Sequence, residues 1–117
     1  MTTLTEKEEE IMLLIWKLQG GFLRTILDAF PEPKPHQNTV STFLKILTDK
    51  KFISIENQGR KFFYKIEISK QEYRIFLLKN LLTDYYEKNE GFLLLKRLKK
   101  EGYVSKKDVK KVFFKSK

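Results

Sequence analysis

Apolar residues recur along the chain with two different periods. Ile11, Leu14, Ile15 and Leu18 follow the three- and four-residue spacing of one buried helical face. Thr5 with Glu8 three residues on has capping-box spacing, and the first-turn glutamates suit the positive end of a helix dipole. Gly20-Gly21 stops that helix. A short second helix is predicted over Phe22 to Phe30, with Phe22, Ile26, Leu27 and Phe30 apolar, and Pro31 ends it. The stretch Pro31-Glu32-Pro33-Lys34-Pro35 reads as a stiff loop. A third helix runs from about Gln37 to Lys50 on the stripe Val40, Phe43, Leu44 and Leu47.

The period then changes from 3.6 to 2. Ile53 and Ile55 alternate with Ser54 and Glu56, and Phe62, Tyr64 and Ile66 alternate with Phe63 and Lys65. Asn57-Gln58-Gly59-Arg60 lies between the two runs, which predicts a β-hairpin. Ser69 and Glu72 repeat the capping-box spacing, and Tyr73, Phe76, Leu77, Leu81 and Tyr85 carry a helix to about Lys88. Asn89-Glu90-Gly91 breaks it. A short helix from Phe92 to Lys100 and a last one from Ser105 to Phe114 complete the chain.

The fold predicted is mostly α with a small β-hairpin: a winged helix-turn-helix over residues 1–68, then a helical dimerisation region over 69–117. In that arrangement a helical scaffold holds the third helix in the major groove, and the hairpin lies along flanking phosphates. The third helix presents Gln37, Asn38, Thr39, Ser41, Thr42 and Lys45, short or basic groups suited to bases and phosphates. Arg60 and Lys61 at the hairpin tip suit phosphates, which position without specifying. His36 reads as a surface or capping residue and Trp16 as core. The dimerisation candidates are Tyr73, Phe76, Leu77, Leu81, Phe92, Leu95, Val109 and Phe113, because a projecting apolar helix in a small domain is usually covered by a partner.

Charge sharpens this picture. Of 117 residues, 24 are Lys or Arg and 15 Asp or Glu, a net charge of +9 that suits a polyanion. Residues 1–87 hold 13 basic and 12 acidic groups, whereas residues 88–117 hold 11 and 3. Within the first part, Lys34 to Lys65 has seven basic residues against Asp49 and Glu56. There is no cysteine and one histidine, which excludes disulfides, thiolate chemistry, cysteine zinc sites and the usual triads. No nucleophile–base pair, Walker loop or metal cluster supports an enzyme, and no cofactor is expected. No apolar run is long enough to cross a bilayer and no signal peptide is recognisable, so a cytoplasmic address without membrane insertion is expected.

Leu4-Thr5, Glu9 through Ile15-Trp16, Asn38-Thr39-Val40-Ser41-Thr42-Phe43-Leu44, Lys50-Lys51-Phe52-Ile53 and Gly59-Arg60-Lys61-Phe62-Phe63-Tyr64 occur in this order. In these residues the chain resembles the BlaI/MecI/CopY penicillinase-repressor family. The resemblance implies a homodimeric repressor that occupies a palindromic double-stranded DNA operator through its winged helix and dimerises through C-terminal helices. It also implies a membrane sensor or protease partner, but Arg97-Leu98 does not reproduce the cleaved pair. The copper-responsive branch needs a cysteine cluster that this chain lacks. Lys51 replaces the glycine usual after the third helix, Ile46 stands where some members have arginine, and the C-terminal helices are unusually basic. Other readings are a ligand-responsive winged-helix regulator of another family, or a winged helix used as a protein-interaction module. The second needs no basic hairpin tip.

Overall fold

A computed structural model describes residues 1–87, 90–105 and 107. Its elements are α1 (Glu6–Leu18), β1 (Gly21–Phe22), α2 (Leu23–Ala29), α3 (Gln37–Asp49), β2 (Ile53–Gln58), β3 (Lys61–Ile66), α4 (Lys70–Tyr85) and α5 (Glu90–Lys100). Among the described residues, five helices and a three-stranded antiparallel sheet in the order β1-β3-β2 make a winged helix-turn-helix with further helices after it. The last expected helix, with Val109 and Phe113, lies outside the described residues apart from Ser105 and Lys107. The chain divides into two compact units, the first Met1–Leu77 and the second beginning at Leu78.

Local signals set the boundaries. In α1 the Glu8 amide donates to Thr5 Oγ1 at 3.3 Å and the Thr5 amide to Glu8 Oε1 at 3.1 Å, the reciprocal capping box. Gln19 leaves the helix in the left-handed conformation, at φ 63°, and Gly20 follows at φ +94°. A Cβ on Gly20 would sit 2.8 Å from the Tyr64 carbonyl oxygen, so glycine is needed there for contact with β3 as well as for its dihedral.

That contact explains a correction. Phe22 does not begin the second helix. It belongs to β1, where Gly21 and Phe22 pair with Tyr64 and Phe63, and α2 starts at Leu23. Two residues are too few for a period to show, and their pairing partners are 43 and 41 positions away, so the sequence pattern carries no sign of this strand. In the hairpin proper, Ile53 pairs with Ile66 and Gln58 with Lys61 across a two-residue turn. Glu90 and Gly91 also move: they open α5, expected to start at Phe92, rather than lying in the break before it.

The core joins Met12 and Ile15 of α1, Ile26 of α2, Val40, Leu44 and Leu47 of α3, and Phe52 and Ile53, all fully or almost fully buried. Trp16 is half-buried against it, with Nε1 donating to the Ile68 carbonyl at 2.9 Å. The start of α4 closes this core. Ser69 and Glu72 form the expected capping box, at 3.0 Å in both directions. One turn later Tyr73 is only 2% exposed, its hydroxyl accepting from the Leu4 amide at 2.8 Å and its ring 5.3 Å from Phe52.

Tyr73 is thereby removed from the partner-facing stripe expected of it, and Phe76, stacked on Tyr73 and half-buried, goes with it. The first turns of α4 belong with the winged helix, nine residues past the expected boundary at 68. Leu77, Leu78, Leu81 and Tyr85 lie on the rest of α4's surface and are exposed. In the second unit, Leu94, Leu95 and Leu98 of α5 line one apolar groove with Leu78 and Leu82.

Candidate nucleic-acid interface

The buried stripe of α3 determines what its other side offers. With Val40, Leu44 and Leu47 inward, Asn38, Thr42 and Lys45 stand opposite and exposed, Ser41 beside them is half-buried, and Gln37 is exposed at the first turn. Thr39 is exposed on the other flank, where it borders a shallow pocket with Phe43 and the proline loop. Five of the six α3 positions expected to meet DNA thus share one side, and Thr39 does not.

The first turn of α3 is fixed by its cap. His36 Nδ1 accepts from the Asn38 amide at 3.1 Å, so a neutral ring carries its proton on Nε2, away from the helix. Thr42 donates its hydroxyl to the Asn38 carbonyl at 2.9 Å. Its methyl and the remaining lone pairs are what it can offer a ligand. Asn38 keeps its whole side-chain amide exposed, a group that can meet adenine through two hydrogen bonds.

The hairpin supplies the second part. Gly59 takes φ +68° at the first central position of the turn, the place a type II′ turn gives to glycine, and Arg60 occupies the second. Lys61 is exposed, with its ammonium 6.0 Å from the centre of the Phe22 ring, and Phe22 meets Phe63 edge-on at 5.2 Å. The strand that the sequence hid therefore braces the base of the wing. Lys61, Gln37, Phe62 and Tyr64 border one cleft between wing and helices, as does Arg24 of α2. Burial pushes the Tyr64 phenol up, so it stays neutral at physiological pH.

Arg24 escaped the sequence reading. It is exposed and 3.8 Å from Asp28, an ordinary helix-surface pair in sequence terms. The signal that could have found it is topological: the helix before a recognition helix crosses the DNA backbone, so a cation in its first turn is near phosphate. Ile55 and Phe62 are the other surprise, about half exposed because the apolar alternation of the hairpin continues past the edge of the core.

Lys50 goes the other way. It belongs to the basic tract from Lys34 to Lys65, yet its ammonium lies 2.5 Å from the buried carboxylate of Glu8. Burial pushes the Glu8 carboxyl up, but hydrogen bonds from Lys50 and Thr5 together with the lysine charge outweigh it and hold the group below the usual glutamate range. Lys50 is a structural cation. Among the described residues no group of three His, Asp or Glu side chains could hold a metal ion, and no helix is long and apolar enough to cross a membrane.

One family model matches this chain, over residues 4–113, and its description is penicillinase repressor. A comparison with curated proteins found no match.

Proposed function

The chain belongs to the penicillinase repressor family, whose members are DNA-binding transcriptional repressors rather than enzymes, and we propose that it acts as a homodimer on a palindromic operator. Each protomer sets α3 in the major groove, with Asn38, Ser41, Thr42 and Lys45 toward base edges and Gln37 at the groove's rim. Arg60 and Lys61 of the wing, joined by Arg24, meet the flanking phosphates. Two such units about 34–36 Å apart occupy successive half-sites and exclude polymerase sterically.

The single observation that carries this reading is the cleft in which a recognition-helix residue, Gln37, meets basic residues from two other elements, Arg24 and Lys61. A helix face alone is common; a polar face flanked on its wing side by two cations has the layout of a groove reader with phosphate clamps. The dimer rests on α4. Its Tyr73 and Phe76 side packs on the core, while Leu77, Leu78, Leu81 and Tyr85 on the remaining surface are exposed. A helix apolar on both sides is normally covered on both. Phe92, also exposed, and Leu95, in the groove beside Leu78, extend that surface.

Fluorescence anisotropy of the duplex upstream of the protein's own coding sequence tests the reading. Asn38→Ala should weaken that complex by about 1–3 kcal/mol and leave binding to scrambled duplex unchanged. Arg60→Gln should weaken both equally and lower the salt slope by about one. Equal affinities of parent and both variants would overturn the assignment.

A further inference from the structure

We propose that the exposed basic face of α5 is a second phosphate-binding surface for duplex DNA, indifferent to base sequence and additional to α3 and the wing. The inference rests on the reading that the chain binds DNA.

The helix has two sides, although Leu93 is exposed among the cations. Leu94, Leu95 and Leu98 line the groove shared with Leu78 and Leu82, whereas Lys96, Arg97, Lys99 and Lys100 are exposed. Arg97 pairs with Glu101 one turn on. Among the described residues, Lys96, Lys99 and Lys100 have no acidic partner. These cations lie within about 6 Å of helix axis. Duplex DNA presents one phosphate charge per about 1.7 Å of its own axis, so a few phosphates fall within the same reach.

The helix dipole accounts for one or two cations in a last turn. It does not account for a run that continues beyond the helix: from Lys96 to Lys117 there are ten basic residues against Glu101 and Asp108. The first 87 residues, by contrast, are almost neutral overall, so most of the chain's attraction for a polyanion resides in the tail. A lipid surface fits less well. An interfacial helix must offer its apolar side to the bilayer, and three of the leucines of α5, Leu94, Leu95 and Leu98, border Leu78 and Leu82 instead. Tethered to a sequence-reading unit, such a surface raises affinity for all duplexes and lengthens residence near the operator without changing which sequence is preferred.

The test uses the full chain carrying Lys96→Gln, Lys99→Gln and Lys100→Gln together, and a second form with arginine at the same three positions. Binding to a 30-base-pair random duplex is measured across a salt series, with the oligomeric state followed by sedimentation. The glutamine form should lower the slope of log affinity against log salt by about two to three units and weaken binding at least tenfold at low salt. The arginine form should keep the parental slope, and sedimentation should not change. A glutamine form with the parental slope overturns the proposal. So does one that loses binding only to phosphatidylserine vesicles, which would make the face a membrane contact. Failure of the operator reading shows up separately, as the absence of any preference for operator over random duplex in the parent.

Discussion

Lys51 holds a backbone conformation that L-residues avoid, at φ +68°, directly after α3. The Lys51 amide donates to the Thr48 carbonyl and the Phe52 amide to the Leu47 carbonyl, both at 3.0 Å, which is a Schellman ending with lysine where glycine normally stands. The left-handed region costs a non-glycine residue about 1–2 kcal/mol, and glycine returns part of that through its freer unfolded chain. Lys51→Gly should therefore stabilise the protein by about 0.5–1 kcal/mol in urea denaturation. A destabilised variant would mean that the lysine makes a contact worth more than the strain. This strain was legible in the sequence because the missing glycine was. The role of Tyr73 was not: a residue on an apolar stripe does not reveal which of two surfaces covers it. Its hydroxyl offers a check, since Tyr73→Phe leaves the buried Leu4 amide without an acceptor and should cost about 1–3 kcal/mol.

At the scale of elements, α1 and α3 are tied by the pair between Glu8 and Lys50. Glu8 titrates lower in the folded protein than in the unfolded chain, so its contribution is fully present above the ordinary glutamate pKa of about 4.3 and is lost as pH falls through the lower folded value. Acid denaturation of Glu8→Gln should consequently show a shallower loss of stability below about pH 4 than the parent does. An unchanged acid limb would show that the pair is not linked to folding. The helices and hairpin were readable because each declares itself within its own residues: capping boxes at Thr5 and Ser69, a period of 2 from Ile53, and Gly59 between strands. What could not be read depends on distant partners, namely β1, the wall that β3 forms against Gly20, and the diversion of Lys50 from the basic tract to Glu8. Gly20→Ala, which meets both the dihedral and the Tyr64 carbonyl, should cost at least about 1–2 kcal/mol.

At the scale of the molecule, the winged-helix unit extends to Leu77. A fragment of residues 1–77 should fold cooperatively, whereas one ending at Ser69 lacks the Tyr73 ring that closes the core over Phe52 and should be clearly less stable. The central claim is that two copies of this unit read DNA together through α3. Selection of bound sequences from a pool of random duplexes by the full-length protein tests it most directly. The account predicts an inverted repeat whose half-sites lie about 10 base pairs apart or a multiple of that, with the information lost at defined positions in each half for Asn38→Ala. Enrichment of no motif, or of one that Asn38→Ala reproduces unchanged, would contradict it.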